Sequence, residues 1–286
     1  MRKVNDMRER WESDNKPWLF FILTFGWSWS FLLPAAGFGL SADQTLTTIL
    51  RVLAGVGPAL IALILLIFPG DLENWKDYWQ RLISFRRIKI QWWILILLFP
   101  VVLTLVSGGL DLLLGGAGLG FEQSVSGRSG PIDWLGFAIF ILAFGPLPEE
   151  MGWRGYALDG LQDRMGPAAS SFVLGLAWAL WHLPLFFIQG TYQANLGVFT
   201  PAFWIFLVKM IPSTLLMTWV YNNNRRSTLS AVGFHFAINL TGEVFSFTRS
   251  GEWIDLTLWI MSAGLVILLT DMNTFQKKKK EFTKYQ

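Results

Sequence analysis

Long apolar segments are the feature that most constrains what this chain can fold into. Segments of roughly 18 or more apolar residues recur along the 286-residue chain, and a helix of that length spans a bilayer. Only 15% of the residues are charged, against about 25% in soluble domains. The 16 tryptophans and 24 phenylalanines suit aromatic belts at the two membrane surfaces. The sequence therefore predicts an all-α polytopic membrane protein.

The apolar runs and the turn residues between them predict a bundle of about eight transmembrane helices. The helices are expected at roughly 18–40, 45–68, 92–114, 132–149, 167–188, 201–221, 228–247 and 254–270. No repeat of 20–50 residues and no separate soluble domain is evident in the sequence. We therefore expect residues 1–17 to form a cytoplasmic arm, 18–270 a single transmembrane domain, and 271–286 a basic cytoplasmic tail.

The placement of charge predicts the orientation of the bundle. With this helix map, 18 of the 23 lysines and arginines lie on the side that holds both termini, and two lie opposite, Arg128 and Arg249. Cytoplasmic loops carry such an excess, so both termini are expected to be cytoplasmic in a multi-pass protein of the cell membrane. The basic link 69–91 and the lysine-rich tail are expected to contact anionic lipid headgroups and not nucleic acid. The chain has no cysteine, which excludes disulfides and thiol catalysis.

A cluster of ionisable residues follows the fourth apolar run. Pro146 and Pro148 interrupt the run, so a half-helix is expected to start near Pro148 with Glu149 and Glu150 in its first turn. Glu150 and Arg154 are four residues apart, share a helix face and are predicted to pair. Glu149 lies about 100° around the helix and is left available for chemistry. The alternative is two glutamates that only mark the cytoplasmic end of a helix.

The two histidines of the chain lie in apolar runs and are expected to approach this cluster. Glu149 lies 17 residues before the turn at Gly166, and His182 lies 16 after it. In an antiparallel helical hairpin, those two side chains have the same depth. His235 and Asn239 are four residues apart on a later helix and share a face. A membrane histidine can also serve only as a helix–helix hydrogen-bond partner, but a shared polar cavity is the simpler interpretation.

Three motifs resemble those of the CPBP family of intramembrane proteases, which includes the type II CAAX prenyl endopeptidases and the bacteriocin self-immunity (Abi) proteins. In chain order the motifs are Glu149-Glu150 with Arg154, Trp178 with His182, and His235 with Asn239. The family usually has phenylalanine where Trp178 stands. This change is expected to affect packing and to leave the polar set intact. The resemblance covers a core of about residues 132–247.

The resemblance implies an endopeptidase that hydrolyses a peptide bond in a membrane-attached protein or peptide. The implied catalytic residues are Glu149, His182, His235 and Asn239, with Glu150 and Arg154 in support. The first glutamate and the first histidine would activate a water molecule. The second histidine and the asparagine would stabilise the oxyanion, while the supporting pair would hold the carboxylate geometry. Prenylated CAAX tails are the family's best-known substrates, and a membrane-attached or lipidated protein or peptide is expected as the substrate here, with prenylation left open.

The resemblance leaves the cofactor open. Members of the family are usually labelled metalloproteases, and Glu149, His182 and His235 form a plausible zinc set. The sequence contains no His-Glu-x-x-His pair, and the three donors come from separate helices. A metal-free glutamate mechanism would use the same residues, so zinc and metal-free catalysis both remain expectations.

Two other functions are compatible with parts of the sequence. Residues 127–130 read Gly-Arg-Ser-Gly, the form found around the serine of rhomboid proteases, but Ser129 lies in a polar loop where such tetrapeptides arise easily. A transporter or a non-catalytic scaffold is the other alternative, because Arg51, Asp111 and Lys209 could line a path. The inverted repeat common in transporters is not evident.

Overall fold

The computed structural model describes residues 16–68, 72–122, 125, 128 and 130–270. The arm up to residue 15, the predicted helix end at Pro69-Gly70, Ser129 of the rhomboid-like tetrapeptide and the tail 271–286 lie outside the described residues. Within the described part, six helices are long and apolar enough to cross a membrane, judged by length and composition.

The described residues form a helical bundle with one short β-ribbon. The helices in chain order are α1 Pro17–Gly37, α2 Thr45–Gly55, α3 Gly57–Ile67, α4 Leu72–Ile83, α5 Ile90–Leu113, α6 Pro131–Phe144, α7 Pro146–Gly152, α8 Leu158–Trp181, α9 Tyr192–Leu196, α10 Pro201–Asn223, α11 Thr228–Val244 and α12 Arg249–Leu269. The ribbon pairs β1 Leu119–Phe121 with β2 Phe245–Phe247 in antiparallel register. The predicted all-α polytopic membrane class is confirmed.

Several predicted helix ends were wrong, each for a local reason. The second predicted helix is divided at Val56 into α2 and α3, and Pro58 lies in the first turn of α3. The seventh ends at Val244 because the next three residues pair with β1. The eighth begins five residues early because the Thr248 hydroxyl accepts the N–H of Gly251 at 2.9 Å and caps the helix. The count of eight membrane crossings stays a prediction, since residues 131–187 make up a single candidate span although the helix is interrupted at Gly145 and Gly166.

The predicted interruption of the fourth apolar run occurs at Gly145. This residue separates α6 from α7 and has φ −134° and ψ −91°. Pro146, at the start of α7, has no N–H and cannot bond to the turn before it. The half-helix therefore begins two residues earlier than predicted. Glu149 lies in its first turn as expected, whereas Glu150 lies beyond that turn.

A π-helical turn at Trp153–Ala157 continues α7 into α8. Such turns insert an extra residue into a helix and are frequent at functional sites. The side chain of Trp153 is fully buried and packs edge-on against Phe20 of α1 at 5.5 Å and Trp181 of α8 at 6.0 Å between ring centroids. These two aromatic contacts hold the π-turn against α1 and α8.

The amphipathic helix α4 donates hydrogen bonds to the backbone around the π-turn. Its Tyr78 hydroxyl donates to the carbonyl of Met151 at 3.1 Å, and Arg81 Nη2 donates to the carbonyl of Gly155 at 2.9 Å. Tyr78 and Arg81 are three residues apart and both are buried, so they share the inward face of the helix. Helix α4 therefore supplies hydrogen-bond donors to one carbonyl just before the π-turn, that of Met151, and to one within it, that of Gly155.

Arg81 also belongs to a buried ion network. It contacts Asp159 at 3.1 Å and Asp77 at 3.0 Å, and the Tyr221 hydroxyl accepts from its Nη1 at 2.8 Å. Arg226 pairs with Asp159 as well. Burial raises the pKa of Asp77, but the neighbouring guanidinium groups outweigh burial and leave that pKa below its usual value. Its stabilising contribution is therefore present above the unfolded-state pKa of about 4 and is lost as the pH falls through the folded-state pKa.

We predict that Arg81→Ala destabilises the protein, because the substitution removes one cation from a buried network and leaves Asp77 and Asp159 under-compensated. Breaking a buried ion pair costs about 3–5 kcal/mol. At 3 kcal/mol, the unfolding temperature should fall by roughly 6–12 °C, measured by thermal unfolding of the purified protein. Arg86→Ala, at an exposed position nearby, is the matched control and should leave the temperature unchanged. Equal stability of the two variants would contradict the structural role of the network.

Candidate active site

The carboxylate of Glu150 is the most completely enclosed group of the site. Its side chain has no exposed surface. One oxygen accepts from Arg154 Nη1, and the other contacts His235 Nδ1 at 3.0 Å. The predicted pairing of Glu150 with Arg154 is confirmed. The histidine from α11 completes a buried triad in which both carboxylate oxygens are satisfied.

Glu149 points to a different helix from its neighbour. Its Oε2 accepts a 2.6 Å hydrogen bond from the indole Nε1 of Trp178 on α8. Hydrogen bonds to a charged acceptor are short and strong, so the indole fixes the orientation of the carboxylate. The expectation that tryptophan at this position affects only packing was wrong: Trp178 extends the polar set.

The contribution of Trp178 had a signal in the sequence. A buried tryptophan usually needs an acceptor for its N–H, and Trp178 lies on the same helix face as His182, four residues on. Which acceptor it finds depends on how α7 and α8 are rotated about their axes, and the spacing of residues does not fix that rotation.

His182 lies at the end of α8 and not inside a helix as predicted. The helix stops at Trp181 and gives way to a 3-10 segment, Leu183–Phe187, because Pro184 has no N–H to continue the α-helical pattern. The His182 Nδ1 lies 2.8 Å from the carbonyl of Trp178. A carbonyl can only accept, so Nδ1 carries the proton and Nε2 of the neutral ring has a free lone pair.

His235 and Asn239 come to the site from α11. The ring of His235 packs edge-on against Trp178, with centroids 4.9 Å apart. A side-chain carbon placed on Gly145 would lie 3.4 Å from Asn239 Nδ2 and 4.0 Å from Glu149 Oε1. The amide and the carboxylate therefore border the same small space. Since Glu149 and His235 both contact Trp178, the structure brings the predicted residues from three helical segments together.

The zinc expectation can be tested against the positions of the donors. Within the described part of the chain, no group of three or more His, Asp or Glu side chains is placed to hold one metal ion. One oxygen of Glu149 already accepts from Trp178, and both oxygens of Glu150 are bonded. The residues as positioned do not fit the expected zinc set of Glu149, His182 and His235, and we derive no catalytic step through a metal.

The charged residues that could have lined a transport path do not meet. Arg51 is exposed on α2. Asp111 accepts from the Thr248 hydroxyl at 2.8 Å and from the N–H of Gly118 at 3.0 Å. Lys209 pairs with Asp255 at 2.5 Å. Asp111 and Lys209 thus have separate local partners, so the three residues form no common path.

Comparison with known proteins agrees with this geometry. The family model for type II CAAX prenyl endopeptidase Rce1-like proteins matches residues 131–241. The chain is also 31% identical over 266 residues to CAAX prenyl protease 2 of Methanococcus maripaludis, an alignment that covers 91% of this chain and 96% of the relative. The chain belongs to the CAAX prenyl endopeptidase family. It is therefore a multi-pass intramembrane endopeptidase of the CAAX type. The match to the family model runs from α6 to α11, the segment that holds every predicted site residue.

We predict that Trp178→Phe lowers kcat/KM of this endopeptidase while the fold survives. The ring is retained, but the 2.6 Å hydrogen bond that orients Glu149 is lost. A hydrogen bond to a charged group is worth about 1.5–3 kcal/mol, which corresponds to at least roughly a tenfold loss of rate. The measurement is peptide cleavage alongside thermal unfolding.

Trp253→Phe is the matched control for this prediction. Its side chain is exposed on α12, a helix that carries no predicted site residue, so the same change of ring should leave kcat/KM within about twofold. Equal activity of the two variants would show that the Trp178 hydrogen bond does not support catalysis.

Proposed function

We propose that this endopeptidase hydrolyses a peptide bond in the CAAX tail of prenylated, membrane-attached proteins. The name of the Methanococcus maripaludis relative, CAAX prenyl protease 2, supports this substrate class. The observation that carries the proposal is the buried site itself, in which Trp178 orients the carboxylate of Glu149 beside the His235–Glu150–Arg154 triad.

In the proposed reaction, Glu149 acts as general base toward a water molecule. The water attacks the scissile carbonyl carbon, and its proton passes to the carboxylate. The proton is then delivered to the amide nitrogen as the C–N bond breaks, which yields a new carboxylate and a free amine. The unprotonated Nε2 of His182 is the second acceptor available to orient the water. The aromatic neighbours of His182 keep the ring in place, with Trp181 at 4.9 Å and Phe206 at 5.5 Å between centroids.

We propose that His235 and Asn239 stabilise the oxyanion. Nδ1 of His235 faces an oxygen of Glu150, so Nδ1 holds a proton, and Nε2 can donate to an oxyanion only when the ring is cationic. The Glu150 carboxylate then balances both the imidazolium and Arg154, and the triad keeps a net positive charge that favours a negative transition state. Preorganised charge of this kind contributes several kcal/mol in a dry site.

We further propose that the reaction does not require a metal, because the donor side chains are not grouped to bind one. The alternative enzyme function, a rhomboid-like serine protease, would depend on Ser129. A transporter or scaffold would depend on none of the site residues.

We predict that Glu149→Gln abolishes cleavage, with kcat falling about 10²–10⁴-fold, because the amide cannot accept the proton of water. The test uses the full-length protein in lipid vesicles and a fluorogenic farnesylated CAAX peptide, with the unprenylated peptide as the second substrate. Glu73→Gln, on the exposed surface of α4, is the matched control and should cleave at the wild-type rate.

Further arms of this assay separate the alternatives. Dialysis against a zinc chelator should leave the rate unchanged, and a loss restored by added zinc would overturn the metal-free mechanism. Ser129→Ala should retain activity. Cleavage that survives Glu149→Gln would refute the proposed mechanism, and equal cleavage of both peptides would refute the prenylated substrate class.

We propose that both termini are cytoplasmic and that the basic link 69–91 contacts anionic lipid, as the excess of lysine and arginine on one side of the helix map indicates. The chain lacks cysteine, so single cysteines can be introduced for labelling. With an impermeant maleimide, Tyr192→Cys should react in intact cells and Arg86→Cys only after lysis. The reverse pattern would invert the proposed topology.

A further inference from the structure

Lys209 is a charged residue that the proposed catalysis does not use. It lies within the candidate span Pro201–Asn223, where a charged side chain is costly and is usually paired or functional. Its ammonium group pairs with the carboxylate of Asp255 on α12 at 2.5 Å, but the two partners differ in burial: the side chain of Asp255 is 3% exposed and that of Lys209 is 28% exposed. The lysine therefore keeps an open side that its partner does not cover.

A cavity of about 40 Å³ borders Lys209 between α5, α10, α11 and α12. Thr104 and Thr241 line it together with Trp259, whose ring centroid lies 5.3 Å from Lys209 Nζ. Of the described residues that line the cavity, Lys209 alone carries a charge. One buried water needs about 10–15 Å³, so the space admits a group of roughly three heavy atoms. The cavity therefore suits a small anion such as a carboxylate, next to an apolar wall.

The cavity adjoins the candidate active site through two helices. On α11, Gly242 lines the cavity and follows Asn239 by three residues, a rise of about 4.5 Å. On α10, Phe206 precedes Lys209 by three residues and packs against the ring of His182, with centroids 5.5 Å apart. The cavity is therefore about one helical turn away from two of the proposed catalytic residues.

The end of a CAAX tail has the length and the charge that this arrangement requires. Such a tail has three residues after its cysteine and ends in a free carboxylate. Three extended residues span at most about 11 Å, so a tail whose cysteine lies at the catalytic residues can place its last residue one to two helical turns away. The terminal carboxylate then meets the open side of Lys209.

We propose that this cavity binds the free C-terminal carboxylate of the substrate, and that Lys209 is the specificity-determining residue that recognises it. The proposal rests on the proposed function and adds the site that receives the end of the tail. An ammonium group has three N–H donors, so Lys209 can serve the substrate and Asp255 together. One oxygen of Asp255 also accepts from the Ser107 hydroxyl at 3.3 Å and keeps that donor when Lys209 is shared.

The test compares two farnesylated CAAX peptides that differ only at the C-terminus, one a free acid and the other an amide. With the full-length wild-type protein in lipid vesicles, kcat/KM should be about 10- to 100-fold higher for the acid, the range expected for a hydrogen bond to a charged group. Lys209→Met should bring the ratio of the two values to within about twofold of one, whereas Lys209→Arg should keep the preference for the acid. Lys76→Met, at an exposed position on α4, is the matched control and should keep the wild-type ratio.

The outcomes separate this proposal from the one on which it rests. Equal cleavage of acid and amide by the wild type, while Glu149→Gln is inactive, overturns the carboxylate site and keeps the proposed function. A preference for the acid that survives Lys209→Met also overturns the assignment to this lysine. An active Glu149→Gln overturns the proposed function itself. Because Lys209→Met leaves the buried Asp255 without its cation, the double variant Lys209→Met with Asp255→Asn, which removes both charges, decides in the same assay if the single variant does not fold.

Discussion

The arrangement of the site depends on the buried carboxylate of Glu150. A charge without access to water is tolerated only when it is paired and hydrogen-bonded, and Glu150 meets this condition through Arg154, one turn away, and His235, from α11. The first partner is local and fixes the helix that carries the carboxylate. The second is 85 residues distant and fixes α11 against that helix. Every other group of the site is placed relative to this contact.

Helix geometry separates the roles of two adjacent glutamates. Successive residues point about 100° apart, so when Glu150 is directed at α11, Glu149 faces α8 and meets the indole of Trp178. The two adjacent carboxylates thus have different partners: Glu150 is paired with Arg154 and His235, and Glu149 is held by the indole of Trp178. Because both oxygens of the first are already bonded to Arg154 and His235, the proposed proton transfer to the second leaves the contact between α7 and α11 in place.

The parts of this structure that the sequence predicted are those set by local spacing or by a single turn. The Glu150–Arg154 pair follows from a spacing of four residues, and the approach of Glu149 to α8 follows from the turn at Gly166, whose φ of +75° breaks the helix there. The π-turn and the hydrogen bond between Trp178 and Glu149 were missed, because both depend on helix rotation within the bundle. Tertiary pairing also overrode the apolar pattern at residues 245–247, which form a strand.

The π-turn connects the site to helix α4. A π-turn displaces the backbone from the α-helical hydrogen-bond pattern, and buried carbonyls then need other donors. Tyr78 and Arg81 of α4 supply them to Met151, the residue after Glu150, and to Gly155, within the π-turn. Helix α4 is thus part of the scaffold of the active site. Since Lys76 on α4 and Arg86 and Lys89 just after it are exposed, the proposed lipid contact of the link 69–91 would act on the same segment that bonds the backbone of the π-turn.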